Sequence, residues 1–297
     1  MKKFQKRNKG DKVFYFLVTL ILTVFFLMVL YPCLFVIAAS FSSSSAVQAG
    51  KVYLWPVDFS LVGYEIMLQT KDVWTGFANS VFYTVTATAI NLVMTMLCAY
   101  ALARDDMPGG SVFMMYFTFT MFFSGGMIPN YLLVKNLGFL NTRWAILIPG
   151  ALNVYNMIIA RTYIRASIPE ELLEASRMDG CSDFRYMCQV VLPLSKAVMA
   201  VLVLYYGVAH WNEYFNAMIY LTNEKLYPLT IFLREILQAN TVDPSTVSDP
   251  EMQMKLAELA NVMKYSLIVI TMIPIMMIYP FVQKYFVKGV MIGAVKG

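Results

Sequence analysis

Reactive groups have few places to reside in this 297-residue chain. There is one histidine, His210, and no H-E-x-x-H pattern. Cys33, Cys98, Cys181 and Cys188 show no paired spacing and read as reduced, structural thiols. No G-x-x-x-x-G-K-[ST] occurs, so the chain lacks a loop to cradle nucleotide phosphates. No metal, no cofactor and no catalytic residue is expected, and the chain reads as not an enzyme. What stands out is a polar stretch between apolar ones: Glu174-Ala175-Ser176-Arg177-Met178-Asp179-Gly180, nine residues, then Val190-Val191-Leu192-Pro193. Ser167-Ile168-Pro169-Glu170 reads as a helix start, with Ser167 as cap and Glu170 completing a capping box. Glu170, Glu171 and Glu174 suit the positive end of a helix dipole. Gly180 can end that helix in the left-handed conformation. Ser182 then caps a second short helix, which Pro193 stops. The expected hairpin carries Leu172, Leu173, Met178 and Phe184. Its two readings are a docking element and an amphipathic connector lying on a membrane surface.

A second group could handle a polar solute. Sugars are held by aromatic faces together with hydrogen-bonding side chains, and His210, Trp211, Asn212, Glu213, Tyr214 and Asn216 supply both. An ionisable residue inside a membrane span is a functional hypothesis by default. The competing reading gives Trp211 and Tyr214 to an aromatic belt and Asn212 and Glu213 to helix packing. Asn153, Tyr155 and Asn156 form another set, read either as solute contacts or as helix-packing groups, and Asn91 is a further member.

The elements that must position these groups are set by apolarity. The chain is 59% hydrophobic and 14% charged, against about 25% charged in soluble domains. About 20 apolar residues cross a bilayer as a helix. Residues 13–39, 77–103, 112–134, 144–164, 194–221 and 263–285 qualify, which makes an all-α polytopic membrane protein with six transmembrane helices. Ser124-Gly125-Gly126, Pro149-Gly150, Pro274 and Pro280 forecast kinks. The first apolar run is too long for a signal-peptide core and reads as a retained span. Of the 23 Lys and Arg residues, 15 fall on the side of the N-terminus, the 104–111 loop, the 161–196 segment and the C-terminal tail. That side should be cytoplasmic. The expected organisation is a basic N-terminus at 1–12, a membrane domain at 13–285 with a polar loop at 165–193 and an outer loop at 222–262, and a cytoplasmic tail at 286–297. A short amphipathic helix is expected at 228–238.

The Glu174–Pro193 pattern resembles the EAA loop of membrane subunits of binding-protein-dependent ABC importers, with Ser176 and Val190 as mild departures. The ending Lys288-Gly289 to Gly293-Ala294-Val295-Lys296-Gly297 is similar to the tails of maltose-type, carbohydrate-uptake permeases. Ile128-Pro129-Asn130-Tyr131, Leu137-Gly138-Phe139-Leu140-Asn141-Thr142 and Trp211-Asn212-Glu213-Tyr214-Phe215 extend the likeness across most of the chain. The resemblance is to the branch handling oligosaccharides or polysaccharide fragments, and it implies a type I ABC importer permease fold in the bacterial plasma (inner) membrane. By this likeness Glu174, Ala175, Ser176, Gly180, Leu192 and Pro193 belong to a coupling helix seated in a cytoplasmic ATPase. Gly293, Lys296 and Gly297 lie in a tail reaching the same ATPase, or alternatively resting on anionic headgroups. The implied partners are a second homologous permease, two ATPase subunits, an extracellular solute-binding protein contacting the 222–262 loop, membrane lipid and a carbohydrate substrate. No nucleic acid is implied. The same role for a non-sugar solute is the alternative cargo. A secondary transporter would call for inverted repeats and more ion-coupling groups than Glu213 alone.

Overall fold

A computed structural model describes residues 9–239, 261 and 263–277. Regular structure among these is helical, apart from one antiparallel bridge between Ser42 and Phe59. The described residues form two compact units, divided after Thr70, after Arg234 and after Ile270.

The first unit begins with α1 (Lys9–Ser40), α2 (Ser44–Gln48) and α3 (Val62–Gln69). Helix α1 is apolar on every side, and none of its most apolar stretch is buried. A helix of that kind belongs in hydrocarbon or against another apolar surface. Its exit is fixed by hydroxyls. Ser42 Oγ donates to Ala38 O at 2.7 Å and accepts from Val57 N at 3.0 Å. Ser43 caps α2 by accepting from Ala46 N.

The second unit is built on α4 (Lys71–Ala103). Along α4, Asn79, Tyr83, Ala87, Asn91, Thr95 and Ala99 recur every fourth residue, and all six are buried. Such a row winds slowly about the helix, so α4 turns a mixed polar and small stripe toward successive neighbours along its length. Around it follow α5 (Gly110–Phe122), α6 (Met127–Asn136), α7 (Trp144–Leu147) and α8 (Val154–Ser167). Next come α9 (Glu170–Met178), α10 (Asp183–Tyr186), a π-helical turn Met187–Val191, α11 (Leu192–Leu194), α12 (Lys196–Trp211) and α13 (Phe215–Tyr220). A 3-10 turn Glu224–Leu226 leads to α14 (Leu229–Ala239). The described chain resumes in α15 (Met263–Met277), which contributes to both units. Met96 and Ala99 of α4 share one core with Met157, Ala160 and Ile164 of α8 and Leu202 and Tyr206 of α12. Ala99 and Ala160 are fully buried, and small residues let helix backbones approach.

Among the described residues, α1 and α4 are long and apolar enough to cross a membrane, and four spans result if each bent pair is one. The helices expected at 13–39 and 77–103 are therefore present. The segment expected at 112–134 is α5 and α6, bent by 115° at Ser124-Gly125-Gly126, where Gly126 has φ +88°. The segments expected as single helices at 144–164 and 194–221 are each divided. Pro149-Gly150 falls in the break between α7 and α8, and Asn212–Tyr214 separate α12 from α13. In each case local polar groups satisfy the freed backbone: Asn153 accepts from Asn156 N at 3.1 Å, and Glu213 Oε1 accepts from Asn216 N at 3.0 Å. The helix expected at 228–238 is α14. Residues 278–285 and most of the polar part of the 222–262 loop lie outside the described residues.

The segment after α13 is strapped to one end of α4. Asn79 Nδ2 donates to Lys225 O at 2.8 Å and Tyr227 O at 3.1 Å, and Tyr83 OH donates to Leu226 O at 2.9 Å. Ser80 Oγ accepts from Leu229 N at 2.9 Å. Asn141 Oδ1 accepts from Thr222 N and Asn223 N. Where the strap enters α14, Gly76 lets it touch α4: a Cβ there would lie 2.9 Å from the Phe232 ring and 3.2 Å from Leu229 Cα. Gly76→Ala should therefore cost about 1–3 kcal/mol, read as a lower Tm in detergent. Gly207→Ala, whose new Cβ would meet Thr88 Oγ1 at an ordinary 3.9 Å, should be near neutral. Shortening the clashing ring by Phe232→Leu should restore part of the loss in Gly76→Ala.

Candidate functional site

The hairpin between α8 and α12 begins differently from the expected capping box. Ser167 is the last residue of α8, and the N-cap of α9 is Pro169, which makes no side-chain cap bond. A proline at this position has no N–H to satisfy, and Glu170 and Glu171 supply the first-turn negative charge. The end of α9 is as expected. Gly180 has φ +72°; its N–H donates to Arg177 O at 3.0 Å, and Cys181 N–H donates to Ser176 O at 2.9 Å. This is the doubly bonded left-handed helix stop. No atom lies within 4 Å of where a Gly180 Cβ would sit, so the glycine answers a backbone need and not a spatial one. Ser182 caps α10 by accepting from Arg185 N.

Pro193 does not stop the second helix, which corrects the sequence expectation. A π-helical turn widens the helix at Met187–Val191, and Pro193 then takes a first-turn place in α11, where its missing N–H is not needed. The chain turns by 81° only at the α11–α12 joint, where Ser195 has φ −89° and ψ 9°. Glu174, Ala175 and Pro193 are exposed, Leu192 is half-buried against the α4–α8–α12 core, and Ser176 Oγ is turned back onto Leu173 O. Met178 is 89% exposed and Phe184 71%. Two large apolar side chains thus stand out from a polar hairpin, a marker of an interaction surface.

Charge clamps the hairpin to the ends of α4 and α8. Arg104 Nε and Nη2 donate to the Asp106 carboxylate at 2.8 Å and 2.6 Å, and Nη1 donates to Tyr100 OH at 3.1 Å. Arg104 also pairs with Asp183 of α10, Arg177 of α9 pairs with Asp106, and Arg165 of α8 pairs with Asp105. Arg161 Nε donates to Leu102 O at 2.8 Å. Hydrogen bonds from Arg104 and then Arg177 hold the Asp106 carboxyl well below the usual carboxylate range. The Arg104 guanidinium is pushed above its usual value, chiefly by its bond to Asp106. The carboxylates are solvent-exposed, so each pair contributes at most about 1 kcal/mol, but together they fix the hairpin's orientation. Behind it lies a cavity of about 190 Å³ lined by Ile164, Ile168, Leu173, Tyr186 and Val191 below Arg104 and Arg165. Sequence reasoning missed this clamp. Its trace was Arg104-Asp105-Asp106 at the end of an apolar run, with arginines at 161, 165 and 177.

The candidate solute residues do not converge on one surface. Trp211 is 5% exposed, and its indole N–H donates to Thr271 O at 2.9 Å. Asn153 caps α8, and Asn156 is buried. Asn212 Nδ2 is bonded back to Val208 O at 2.8 Å, and Glu213 caps the start of α13. Tyr214 and Tyr155 remain exposed. Asn91 Nδ2 donates to Gly150 O, so its Oδ1 faces His210 Nε2 at 2.9 Å, and that ring nitrogen carries the proton. Beside it, Thr95 Oγ1 and Tyr206 OH are 2.7 Å apart. An apolar cavity of about 360 Å³ between α4, α12 and α15 is lined in part by Thr88, Gly207 and Trp211. The tail residues Gly293, Lys296 and Gly297 lie outside the described residues.

A hinge-joined polar hairpin on a bundle of broken apolar helices is thus the frame for comparison with known proteins. Residues 1–292 match the family described as binding-protein-dependent transport system inner membrane component. The chain belongs to that family. The permease is 37% identical over 293 residues to the polygalacturonan/rhamnogalacturonan transport system permease protein YtcP of Bacillus subtilis, covering 97% of this chain and 99% of the relative. It is 25% identical over 298 residues to the arabinooligosaccharides transport system permease protein AraQ of Halalkalibacterium halodurans, covering 98% and 100%. A chain from the crystal structure of a bacterial ABC transporter involved in the import of the acidic polysaccharide alginate superposes with a TM-score of 0.85 at 35% identity, covering 95% of the permease and 99% of that chain. The permease is a multi-pass inner-membrane component of the ABC transporter class and does not itself carry catalysis.

The clamp yields a test. Asp106→Asn weakens two arginine contacts together and should speed amide exchange in 170–186 by about two- to fivefold, with α4 and α12 unchanged. Because the folded Asp106 carboxyl titrates below its unfolded value near 3.9, its contribution is fully present above that pH and is lost as pH falls through the lower folded value. Hairpin protection in the unsubstituted permease should therefore be flat from about pH 8 to pH 5, checked by exchange at matched intrinsic rates.

Proposed function

We propose that this permease is the transmembrane subunit of an ATP-driven importer that takes up a carbohydrate, most simply an oligosaccharide, delivered by an extracellular solute-binding protein. The observation that carries the reading is the hairpin: rigid within itself, clamped by Arg104 and Asp106, and presenting Glu174, Met178 and Phe184 to solvent. The transport activities of the relatives, for polysaccharide, arabinooligosaccharide and alginate, supply the class of cargo.

In this reading six spans form the membrane domain at 13–285, both termini are cytoplasmic, and the hairpin faces the cytoplasm on the Lys/Arg-rich side. Two ATPase subunits and a second homologous permease complete the complex. The ATPases close on nucleotide and push the hairpin. Glu174 meets a basic group on the ATPase, and exposed Ala175 with half-buried Ser176 leaves the α9 backbone open to close approach. Leu192 and Pro193 pass the displacement through the α11–α12 joint to α12, whose far end carries Asn212, Glu213 and Tyr214. Rocking of α12 opens the passage outward, which is alternating access by rigid-body movement. The tail with Gly293, Lys296 and Gly297 reaches the same ATPase pair, and the outer loop at 222–262, held at its base by the strap on α4, meets the binding protein.

The test uses the whole complex in proteoliposomes. Gly180→Val forces a β-branched residue to φ +72°, and Glu174→Ala removes the exposed carboxylate. Each should lower sugar uptake about tenfold or more while leaving insertion and the amount of permease unchanged. Gly180→Asn, which tolerates the left-handed region, should retain more activity than Gly180→Val. Normal uptake by Gly180→Val and Glu174→Ala, labelling of the hairpin from outside intact cells, or transport by the purified chain alone would overturn the assignment.

A further inference from the structure

Arg234 of α14 is a half-buried guanidinium without an anionic partner among the described residues. All four ion pairs found there belong to the hairpin clamp. Around Arg234 are the Met218 sulfur and the ring of Tyr214, whose centroid lies 5.8 Å from the guanidinium carbon. A thioether and a ring face are weaker partners for a guanidinium than a carboxylate. Glu213, next to Tyr214, is engaged elsewhere: Oε1 accepts from Asn216 N at 3.0 Å, and its carbonyl accepts from Thr230 Oγ1 at 2.8 Å. The first bond closes the start of α13 on itself and the second ties it to α14, which sets Tyr214 beside Arg234. Tyr214 is 43% exposed and Asn212 is exposed.

This arrangement supplies both halves of a site for an acidic sugar. The tyrosine face suits the C–H face of a pyranose ring, and the guanidinium fork offers parallel donors to a planar carboxylate. The pair sits at the end of α12 remote from the hairpin, about 24 Å along its axis, which in the permease reading is the end that receives cargo. The relatives' cargoes include polygalacturonan and the acidic polysaccharide alginate.

We infer that Arg234, with Tyr214 beside it, is a specificity-determining residue that receives the carboxylate of a uronate oligosaccharide at the outer mouth of the permease. The inference rests on the permease reading and adds the charge of the cargo. A phospholipid phosphate is the other anion that this guanidinium could meet, and the experiment separates the two.

The full complex, reconstituted and trapped open to the outside without binding protein, is titrated with radiolabelled tri-galacturonate. Binding-protein-stimulated ATP hydrolysis is read in parallel on the same preparations. Arg234→Gln should raise the Kd about tenfold, and Arg234→Lys should recover part of that loss, with ATP hydrolysis measured without binding protein unchanged in both. Unaltered affinity in Arg234→Gln overturns the inference, as does a wild-type complex that hydrolyses ATP on stimulation yet does not bind tri-galacturonate. A drop in stimulated hydrolysis with the Kd unchanged assigns Arg234 to the binding-protein contact, to lipid or to folding and overturns it likewise. If no preparation shows stimulated hydrolysis, the permease reading itself fails.

Discussion

A backbone amide or carbonyl in apolar surroundings must find a partner, and every break in these helices exposes several. That requirement organises the second unit around α4. Its inward row does more than fill space. Asn79 and Tyr83 hold the carbonyls of the strap before α14, Asn91 holds the carbonyl of Gly150 in the α7–α8 break, and Thr95 meets Tyr206 of α12. Between them Ala87 and Ala99 let neighbours approach. An unsatisfied group in hydrocarbon costs several kcal/mol. The breaks in α7–α8 and α13–α14 are therefore tolerable because α4 carries amides and hydroxyls at their level. The broken helices are in turn what give a membrane bundle its shaped interior.

The two ends of this unit are held by different physics. At the strap end, neutral hydrogen bonds and the bare backbone of Gly76 fix α14 against α4. At the hairpin end, α9 and α10 are held by exposed ion pairs beside a solvent-open pocket. Tight burial resists displacement, because packed cores are not continuously deformable. A clamp of exposed ion pairs yields at lower cost, while the doubly bonded stop at Gly180 fixes the turn within the hairpin. A rigid piece on a soft seat, leading through a π-helical turn and an 81° joint into a long helix, suits the transmission of force.

The polar and aromatic residues near the end of α12 are divided by the fold among several local tasks. Trp211, Asn153 and Asn156 looked like sugar contacts because indoles and amides line sugar sites. In place they cap helices and fill the interior. Arg234, counted in the sequence only as one more basic residue, emerged as the half-buried cation beside Tyr214. Sixteen or more residues of chain separate Arg234 from Met218 and Tyr214, and no spacing rule links them.

What the sequence determined unaided was local or compositional. Apolar runs dictated helices in lipid, Ser-Gly-Gly and Pro-Gly dictated where they break, and the polar Glu174–Pro193 stretch dictated an exposed hairpin with Gly180 in the left-handed region. Each follows from bonds within a few residues or from transfer of whole segments out of water. Tertiary structure alone decided which side chain answers each break. It replaced the expected Ser167 cap with Pro169, carried the helix through Pro193 to Ser195, and joined Arg104 to Asp183 across the fold. Those outcomes turn on distances between groups far apart in the chain, which are set only when α4, α8 and α12 have packed.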